Sequence, residues 1–193
     1  MKYPNSNKVY VKPKESASNR GMSLEDDINR TNRYYLNHGI AVIHKKPTPI
    51  TIVHVDYPKR SAAKITEAYF KVPSTTDYNG IYLGRYIDFE AKECESKTSF
   101  PFSSIHSHQI KHLSDVMKQG AIAFIILRMV SHNKDFLIRA NDFIEFYETA
   151  DRRSLPYSWI EENGFVITSR YPKPCDYLAI AKEVFDLQEN YDE

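Results

Sequence analysis

The stretch that decides the fold is Tyr86-Ile-Asp-Phe-Glu-Ala-Lys92. Its side chains alternate between apolar and polar, as on a strand whose successive residues point to opposite faces. One face is apolar and fits a core. The opposite face carries Asp88, Glu90 and Lys92, and so much charge on a strand with an apolar back is costly unless a partner neutralises it. The pattern predicts a sheet with a core on one side and a charged site on the other.

An upstream acid extends this charged face. Asp77 lies in Ser74-Thr-Thr-Asp-Tyr-Asn-Gly80, and carboxylate oxygens suit Mg²⁺. Asp77 and Glu90 can hold the ion, with the carbonyl of Ala91 as a third ligand. Lys92 shares the face of Glu90 and can orient the attacking water or stabilise developing negative charge. This is the layout of a metal-dependent phosphodiesterase site. The alternative is an exposed hairpin with a cross-strand salt bridge, which contributes little.

Three further side chains are candidates on weaker grounds. Gln109, on the following helix, can reach the metal directly or through water, although its spacing alone indicates a surface glutamine. Thr75 offers a hydroxyl for a phosphate or a water, with turn propensity as the alternative. Glu25 can add a carboxylate, although acids in a first helical turn also complement the helix dipole.

Composition is that of one globular domain in a reducing compartment. The chain has 193 residues, of which 41% are hydrophobic, and a formal net charge of +1, so no global field indicates nucleic acid. Cys94 and Cys175 are far apart and form no CxxC pair, which argues against a disulfide framework or a cysteine zinc site. No apolar run has transmembrane length, and the N-terminus lacks a signal core. We expect a cytoplasmic protein with no membrane partner.

Positive charge is concentrated in two segments. Residues 1–20 carry five basic side chains against one acidic, and residues 44–71 carry six against two. The second segment interleaves tyrosines, and basic plus aromatic side chains suit phosphate pairing and base stacking. The alternative is a solvated β-arm. The candidate DNA contacts are Arg20, Lys45, Lys46, Lys59 and Arg60.

The order of patterns along the chain divides it into parts. Residues 1–19 are polar and are expected to be disordered unless bound, and residues 188–193 form an acidic tail. A single domain at 20–187 carries an insertion at about 45–72, whose prolines exclude a long helix. We expect this insertion, the stalk, to project from the domain with a strand and a helical patch near 62–70.

The remaining segments predict an α/β domain. Tyr78–Tyr82 and Arg85–Glu93 form two strands joined by a tight turn at Leu83-Gly84. Ser104 can cap a helix that runs to residue 118, and the uniformly apolar Ala121–Leu127 predicts a strand buried on both faces. Antiparallel strands, a helix and a buried strand together predict a mixed central sheet flanked by helices.

Several segments together resemble the RecU-type Holliday junction resolvases. They are Arg20-Gly-Met-Ser-Leu-Glu-Asp-Asp-Ile28, His44-Lys-Lys-Pro-Thr-Pro49, Tyr57-Pro-Lys-Arg-Ser-Ala62, Glu67-Ala-Tyr-Phe70, Ser74-Thr-Thr-Asp-Tyr-Asn-Gly80, Tyr86-Ile-Asp-Phe-Glu-Ala-Lys-Glu93, Lys97-Thr-Ser-Phe-Pro101 and His108-Gln109. The resemblance covers roughly residues 20–180 and is far more specific than an acid-x-Lys pair. It implies a restriction-endonuclease-like core of the PD-(D/E)xK type with a projecting stalk.

The resemblance also implies an activity and its residues. A homodimer would make paired nicks in four-way DNA junctions during homologous recombination and DNA repair, with Mg²⁺ or, in its place, Mn²⁺. On the matching positions Thr75, Asp77, Glu90 and Gln109 would contact the metal, and Lys92 would stabilise the transition state. A RecA-type recombinase and a branch-migration helicase are implied partners, and the nucleoid is the implied location.

Two other functions remain open at the level of sequence. One is a restriction-type PD-(D/E)xK endonuclease that cuts linear duplex DNA. The other is a non-enzymatic junction-binding protein that modulates the recombinase through a vestigial site, although the full set of Asp77, Glu90 and Lys92 argues against it. We expect a junction-resolving endonuclease that leaves 5′-phosphate and 3′-hydroxyl ends.

Overall fold

The computed structural model describes residues 20–71 and 75–188, without the side chains of residues 20–23 and of Arg60. The prediction for residues 1–19 lies outside the described residues, as does the tail beyond residue 188. The helices are α1 (Arg20–Asn37), α2 (Ser107–Lys118), α3 (Ala140–Thr149), α4 (Tyr157–Asn163) and α5 (Tyr177–Val184). In this part of the chain, none of them is long and apolar enough to cross a membrane.

Ten strands run through the described residues. They are β1 (Val42–Lys45), β2 (Ile50–Asp56), β3 (Lys64–Phe70), β4 (Tyr78–Tyr82), β5 (Arg85–Cys94), β6 (Ser99–Pro101), β7 (Ile122–Met129), β8 (Lys134–Arg139), β9 (Ser154–Pro156) and β10 (Phe165–Ile167). Six form one sheet in the order β1-β4-β5-β7-β8-β10. β5 and β7 are parallel, and the other neighbours in this sheet are antiparallel.

Helices cover both faces of this mixed sheet. The core on one face includes side chains of α1 and α5, and the core on the other includes side chains of α2, α3 and α4. The predicted mixed central sheet flanked by helices is confirmed.

β7 is apolar from Ile122 to Leu127 because this part of the strand contributes to both cores. Phe124 and Ile126 pack into the core on the side of α1, whereas Ile125 and Leu127 pack on the side of α2. None of the four is more than 1% exposed. The predicted strand with two buried faces is therefore confirmed.

A tight hairpin joins β4 to β5 and sets their register. Leu83 and Gly84 have φ angles of 49° and 71°, and a two-residue turn of this kind matches the twist of antiparallel strands. Tyr78, Phe89 and Phe124 are direct partners across β4, β5 and β7. Their rings stack at 4.9 and 4.8 Å between centroids. This aromatic stack fixes which face of β5 is buried on the side of α1.

The stalk contains a separate two-stranded sheet formed by β2 and β3. β3 occupies residues 64–70, so the predicted helical patch near 62–70 is wrong. Its β-branched and aromatic residues pair with β2 in antiparallel register, from Ile50 opposite Phe70 to Asp56 opposite Lys64. Cross-strand pairs of these residue types stabilise a sheet. The division of the chain into a nuclease domain and a stalk stays a prediction.

The helix after the site strand begins later than the sequence predicts. Residues 102–104 form a short 3₁₀ turn that buries Phe102, so Ser104 does not cap α2. The helix begins at Ser107, and its N-cap residue is His106. The side-chain oxygen of Gln109 accepts a hydrogen bond from the backbone N–H of His106 at 2.9 Å. An N3 glutamine that returns to the N-cap in this way satisfies a backbone donor at the start of a helix.

Removing the middle ring of the aromatic stack should destabilise the fold. We expect Phe89→Ala to lower the free energy of unfolding by about 3–5 kcal/mol, because it removes buried apolar surface and leaves a cavity. Denaturant titration measures the change. The matched control is Phe70→Ala, at an aromatic side chain that is 83% exposed. Equal losses in the two variants would contradict the role of the stack.

Candidate active site

The β4–β5 hairpin brings the two predicted metal-site acids together. Asp77 directly precedes β4, and Tyr78 stands opposite Phe89 on β5. The Oδ2 atom of Asp77 accepts a hydrogen bond from the N–H of Ala91 at 3.3 Å. Asp77 therefore lies against the backbone that follows Glu90.

Lys92 lies between these two acids. Its Nζ atom is 2.5 Å from Oε1 of Glu90 and 3.8 Å from Oδ2 of Asp77. The alternation of β5 puts Lys92 on the same face as Glu90, as the sequence predicts. One ammonium is thus shared by two carboxylates.

Glu90 is fully buried, and burial changes its ionisation. Burial raises the pKa of Glu90 to about 8, an effect that the Lys92 ammonium opposes and the Asp77 carboxylate reinforces. The Oε1 atom contacts Lys92 and Gln109. The Oε2 atom is buried and has no hydrogen-bond partner among residues 20–71 and 75–188. A buried carboxylate oxygen without a donor is costly in the ionised state.

A divalent cation fits this arrangement of atoms. The unpartnered Oε2 of Glu90 and the carboxylate of Asp77 are hard oxygen donors, of the kind that Mg²⁺ prefers. Within the described residues, no group of three or more His, Cys, Asp and Glu side chains could hold a metal ion. A set of two carboxylates completed by backbone carbonyl, water or phosphate oxygens suits Mg²⁺ better than Zn²⁺. The roles of Asp77 and Glu90 as ligands stay predictions.

Gln109 contacts the site through its nitrogen. Its Nε2 atom donates to Oε1 of Glu90 at 2.6 Å, and its oxygen is engaged by the backbone of His106. In this arrangement the helix cap orients the amide, and the amide orients Glu90. Ligation of a metal by Gln109 would require the amide to turn, so that role stays a prediction. The resemblance implies that Gln109 reaches the metal. Its contact with Glu90 was not predicted, because the sequence does not give the position of α2 relative to β5.

Thr75 and Glu25 lie near the acids without contacting them by any hydrogen bond that the structure shows. The Thr75 hydroxyl donates to the carbonyl of Thr76 at 3.4 Å. Glu25 forms an ion pair with Lys45 at 2.6 Å. Glu25 also lines a cleft of about 1360 Å³ that contains Asp77 and Lys92. Both residues stay predictions as ligands.

The candidate DNA contacts lie in different surroundings. Lys45 is paired with Glu25 beside the cleft. Lys46 is directed inward and pairs with Asp88 at 2.7 Å. Lys59 is exposed in the connection between β2 and β3. The side chains of Arg20 and Arg60 lie outside the described residues, so their predicted contacts stay predictions.

One group of polar residues was missed by sequence reasoning. Asp88 is buried, and Lys46, Thr76, Tyr86 and His112 all contact its carboxylate. The alternation of β5 indicates a charged side chain at Asp88. It does not indicate that Lys46, Thr76 and His112 converge on Asp88, because they come from three other segments of the chain.

The ionisation of Glu90 predicts how metal-free stability depends on pH. Between pH about 4.5 and about 8 the native state retains a proton that the unfolded chain has lost. Stability should therefore fall as pH rises through this window, by at most about 1.4 kcal/mol per pH unit. In Glu90→Gln this contribution should vanish, and in the wild type Mg²⁺ should reduce it. Thermal unfolding in EDTA from pH 4.5 to 8.5 measures the effect.

The control for this measurement is Glu161→Gln, which alters an exposed carboxyl. It should leave the pH dependence in place. An unchanged pH dependence in Glu90→Gln would show that Glu90 ionises in the native state as it does in the unfolded chain.

The chain is similar to known proteins over most of its length. A family model described as Recombination protein U matches residues 19–183. The chain is 55% identical over 170 residues to "Holliday junction resolvase RecU" of Geobacillus sp. (strain WCH70), covering 86% of this chain and 85% of the relative. It is 49% identical over 195 residues to the protein of the same name from Oceanobacillus iheyensis, covering 96% and 100%.

A solved structure is also similar. It is the 1.6 Å structure of Archaeoglobus fulgidus Hjc, described as a Holliday junction resolvase from an archaeal hyperthermophile. The match has a TM-score of 0.46 and 11% sequence identity, and it covers 75% of this chain and 94% of that one. The family model spans most of the sequence, and relatives about half identical match over most of their own length. This chain therefore belongs to the Recombination protein U (RecU) family.

Proposed function

We propose that this chain is a Holliday junction resolvase, a Mg²⁺-dependent endonuclease that makes paired symmetric nicks in four-way DNA junctions. The observation that carries the proposal is the buried Glu90 carboxylate, with one oxygen held by Lys92 and Gln109 and the other without a partner among the described residues. Relatives that are about half identical carry the name of Holliday junction resolvase, which supports the choice of substrate.

Asp77 and Glu90 would hold the ion, with Mn²⁺ as a substitute. When bound, the ion supplies Lewis-acid stabilisation of the scissile phosphate. Gln109 keeps the Glu90 carboxylate in place by donating to Oε1. This contact engages Oε1 and leaves Oε2, which has no hydrogen-bond partner among the described residues, available as a ligand.

Lys92 would act on the reacting atoms. Its ammonium has three N–H donors and lies within 3.8 Å of both carboxylates. It can orient the attacking water and neutralise the charge that develops on the phosphate oxygens. A protein cation at this position needs no reorganisation during the reaction, because the two acids already hold it.

Substrate shape would be read away from the reacting atoms. Paired cuts in opposing strands require two sites related by symmetry, so we infer a homodimer. The stalk would contact the phosphates of the junction through Lys59 and Arg60, with branch geometry as the source of specificity. A RecA-type recombinase, a branch-migration helicase and a place at the nucleoid in the cytoplasm belong to this proposal on the strength of the family resemblance.

Loss of one metal-site charge should separate cutting from binding. We expect Asp77→Asn to reduce junction cleavage by at least about a hundredfold, since loss even of outer-shell support commonly costs ten- to a hundredfold in metal affinity or activity. Junction affinity should stay within about threefold, because phosphate contacts dominate binding. Gel assays of cleavage and of binding on the same labelled junction measure both.

The control for this test is Asp115→Asn, which alters an exposed acid on α2. That variant should cut at the wild-type rate. An equal loss of binding and cutting in Asp77→Asn would contradict the division of roles, and unchanged cutting would remove Asp77 from the metal site.

The stalk should contribute to the salt dependence of binding. We expect Lys59→Ala with Arg60→Ala to weaken junction binding and to make the slope of log K against log salt shallower by about 0.9 for each lost phosphate contact. Fluorescence anisotropy at several salt concentrations measures the slope. Lys111→Ala with Lys118→Ala removes the same charge from α2 and should leave it unchanged. An unaltered slope in the stalk variant would place the stalk outside the DNA interface.

A further inference from the structure

A buried polar cluster centred on Asp88 of β5 lies next to the proposed metal-site acids, Asp77 and Glu90. Asp88 is 0% exposed, and four side chains contact its carboxylate. Nζ of Lys46, Oη of Tyr86 and Nε2 of His112 lie 2.7, 2.8 and 3.1 Å from Oδ2. The Thr76 hydroxyl donates to Oδ1. A buried carboxylate is thus surrounded by hydrogen-bond partners, as a native structure requires.

Lys46 joins the two segments that supply the metal-site acids. Its backbone N–H donates to the carbonyl of Asp77 at 2.7 Å. Its Nζ atom donates to the hydroxyl of Thr76 at 2.9 Å and to Asp88 at 2.7 Å. Thr76 directly precedes Asp77, and Asp88 lies two residues before Glu90 on the same face of β5. One residue therefore holds both acid-bearing segments at once.

The core fixes the position of Lys46. It directly follows β1, which pairs with β4 in register from Val42 opposite Ile81 to Lys45 opposite Tyr78. A Cβ atom at Gly80 would lie 2.1 Å from the carbonyl oxygen of Val42. Only glycine permits this approach of β1 to β4, and the approach places Lys46 above the segment that contains Asp77.

The environment of Lys46 is unsuitable for a phosphate contact. Its side chain is 17% exposed, against 41% for Lys45. A phosphate would have to compete with the Asp88 carboxylate for the ammonium and would leave that carboxylate buried without its cation. Removing one partner from a buried ion pair is strongly unfavourable, because the other charge is left buried without compensation.

We propose that Lys46 is a positioning residue that fixes Asp77 and Glu90 at the separation needed to hold one divalent cation between them. The inference rests on the metal-dependent function proposed above and adds a residue to it. Lys46 acts through Asp77, Thr76 and Asp88 and does not touch DNA or the ion. Outer-shell partners of this kind orient metal ligands, and their loss typically costs ten- to a hundredfold in metal affinity.

The test compares a variant in which the Lys46–Asp88 ion pair is replaced by uncharged side chains with a control variant. Lys46→Met/Asp88→Asn removes both charges, so no unpaired buried charge remains, and the asparagine retains an oxygen that can accept from Thr76. Lys46→Arg retains the charge and changes its geometry. Lys111→Met removes a lysine from an exposed ion pair with Asp115. The readouts are Mn²⁺ affinity of the DNA-free protein by electron paramagnetic resonance, the Mg²⁺ concentration for half-maximal junction cleavage, junction affinity against salt, and thermal unfolding.

The expected result is a selective loss of metal affinity. The double variant should unfold close to the wild-type temperature, bind Mn²⁺ at least about tenfold more weakly and require correspondingly more Mg²⁺. Its salt slope for junction binding should equal that of the wild type. Lys46→Arg should fold and bind Mn²⁺ at least about threefold more weakly, which keeps the test decisive if the double variant does not fold. Lys111→Met should match the wild type in every readout.

Other outcomes overturn the inference. Wild-type Mn²⁺ affinity in a folded Lys46 variant would show that the cluster supports only the fold. A salt slope shallower by about 0.9, with unchanged metal affinity, would make Lys46 a phosphate contact. A wild-type protein that cuts junctions without any divalent cation would instead refute the proposed metal dependence, and the inference with it.

Discussion

The ionised form of Glu90 is stable inside this protein only if cations balance it, because its carboxylate is fully buried. Lys92 and Gln109 satisfy one oxygen, and the other has no partner in the described part of the chain. Two features of the surrounding structure act on this carboxylate. The β4–β5 hairpin brings Asp77 to the same place, and the cap of α2 orients the amide of Gln109. A cation between the two acids would offset both the cost of burying the Glu90 charge and the repulsion between the two carboxylates.

The two faces of β5 carry different kinds of side chain, and the pairing register of the strand determines where each face lies. On one face Phe89 stacks between Tyr78 and Phe124 and holds three strands in register. On the other face stand Glu90 and Lys92. A shift of one residue would exchange the two faces. The apolar stack therefore determines where the charged groups lie, and packing on the α1 side of the sheet sets the geometry of the proposed metal site on the other side.

The sequence was sufficient where the information is local. Alternation along β5 and the Leu83-Gly84 turn predicted the hairpin, and an uninterrupted apolar run predicted β7. The proximity of Asp77, Glu90 and Lys92 was also predictable, because pairing of the two hairpin strands brings residues at this spacing together. The features that the sequence did not predict depend on contacts between distant segments. Residues 64–70 form a strand because β2 is available as a partner. Lys46, counted among the basic residues of the stalk, points inward because Asp88, 42 residues away, is buried beside it.

The most direct measurement is cleavage of an end-labelled immobile four-way junction and of its matched linear duplex, with Mg²⁺ and with EDTA. The proposed metal site on Glu90 and the proposed homodimer predict symmetric nicks in two opposing strands of the junction, none in the duplex and none in EDTA. Equal cutting of junction and duplex would indicate a restriction-type endonuclease. Tight junction binding without cutting under any divalent cation would contradict an active metal site altogether.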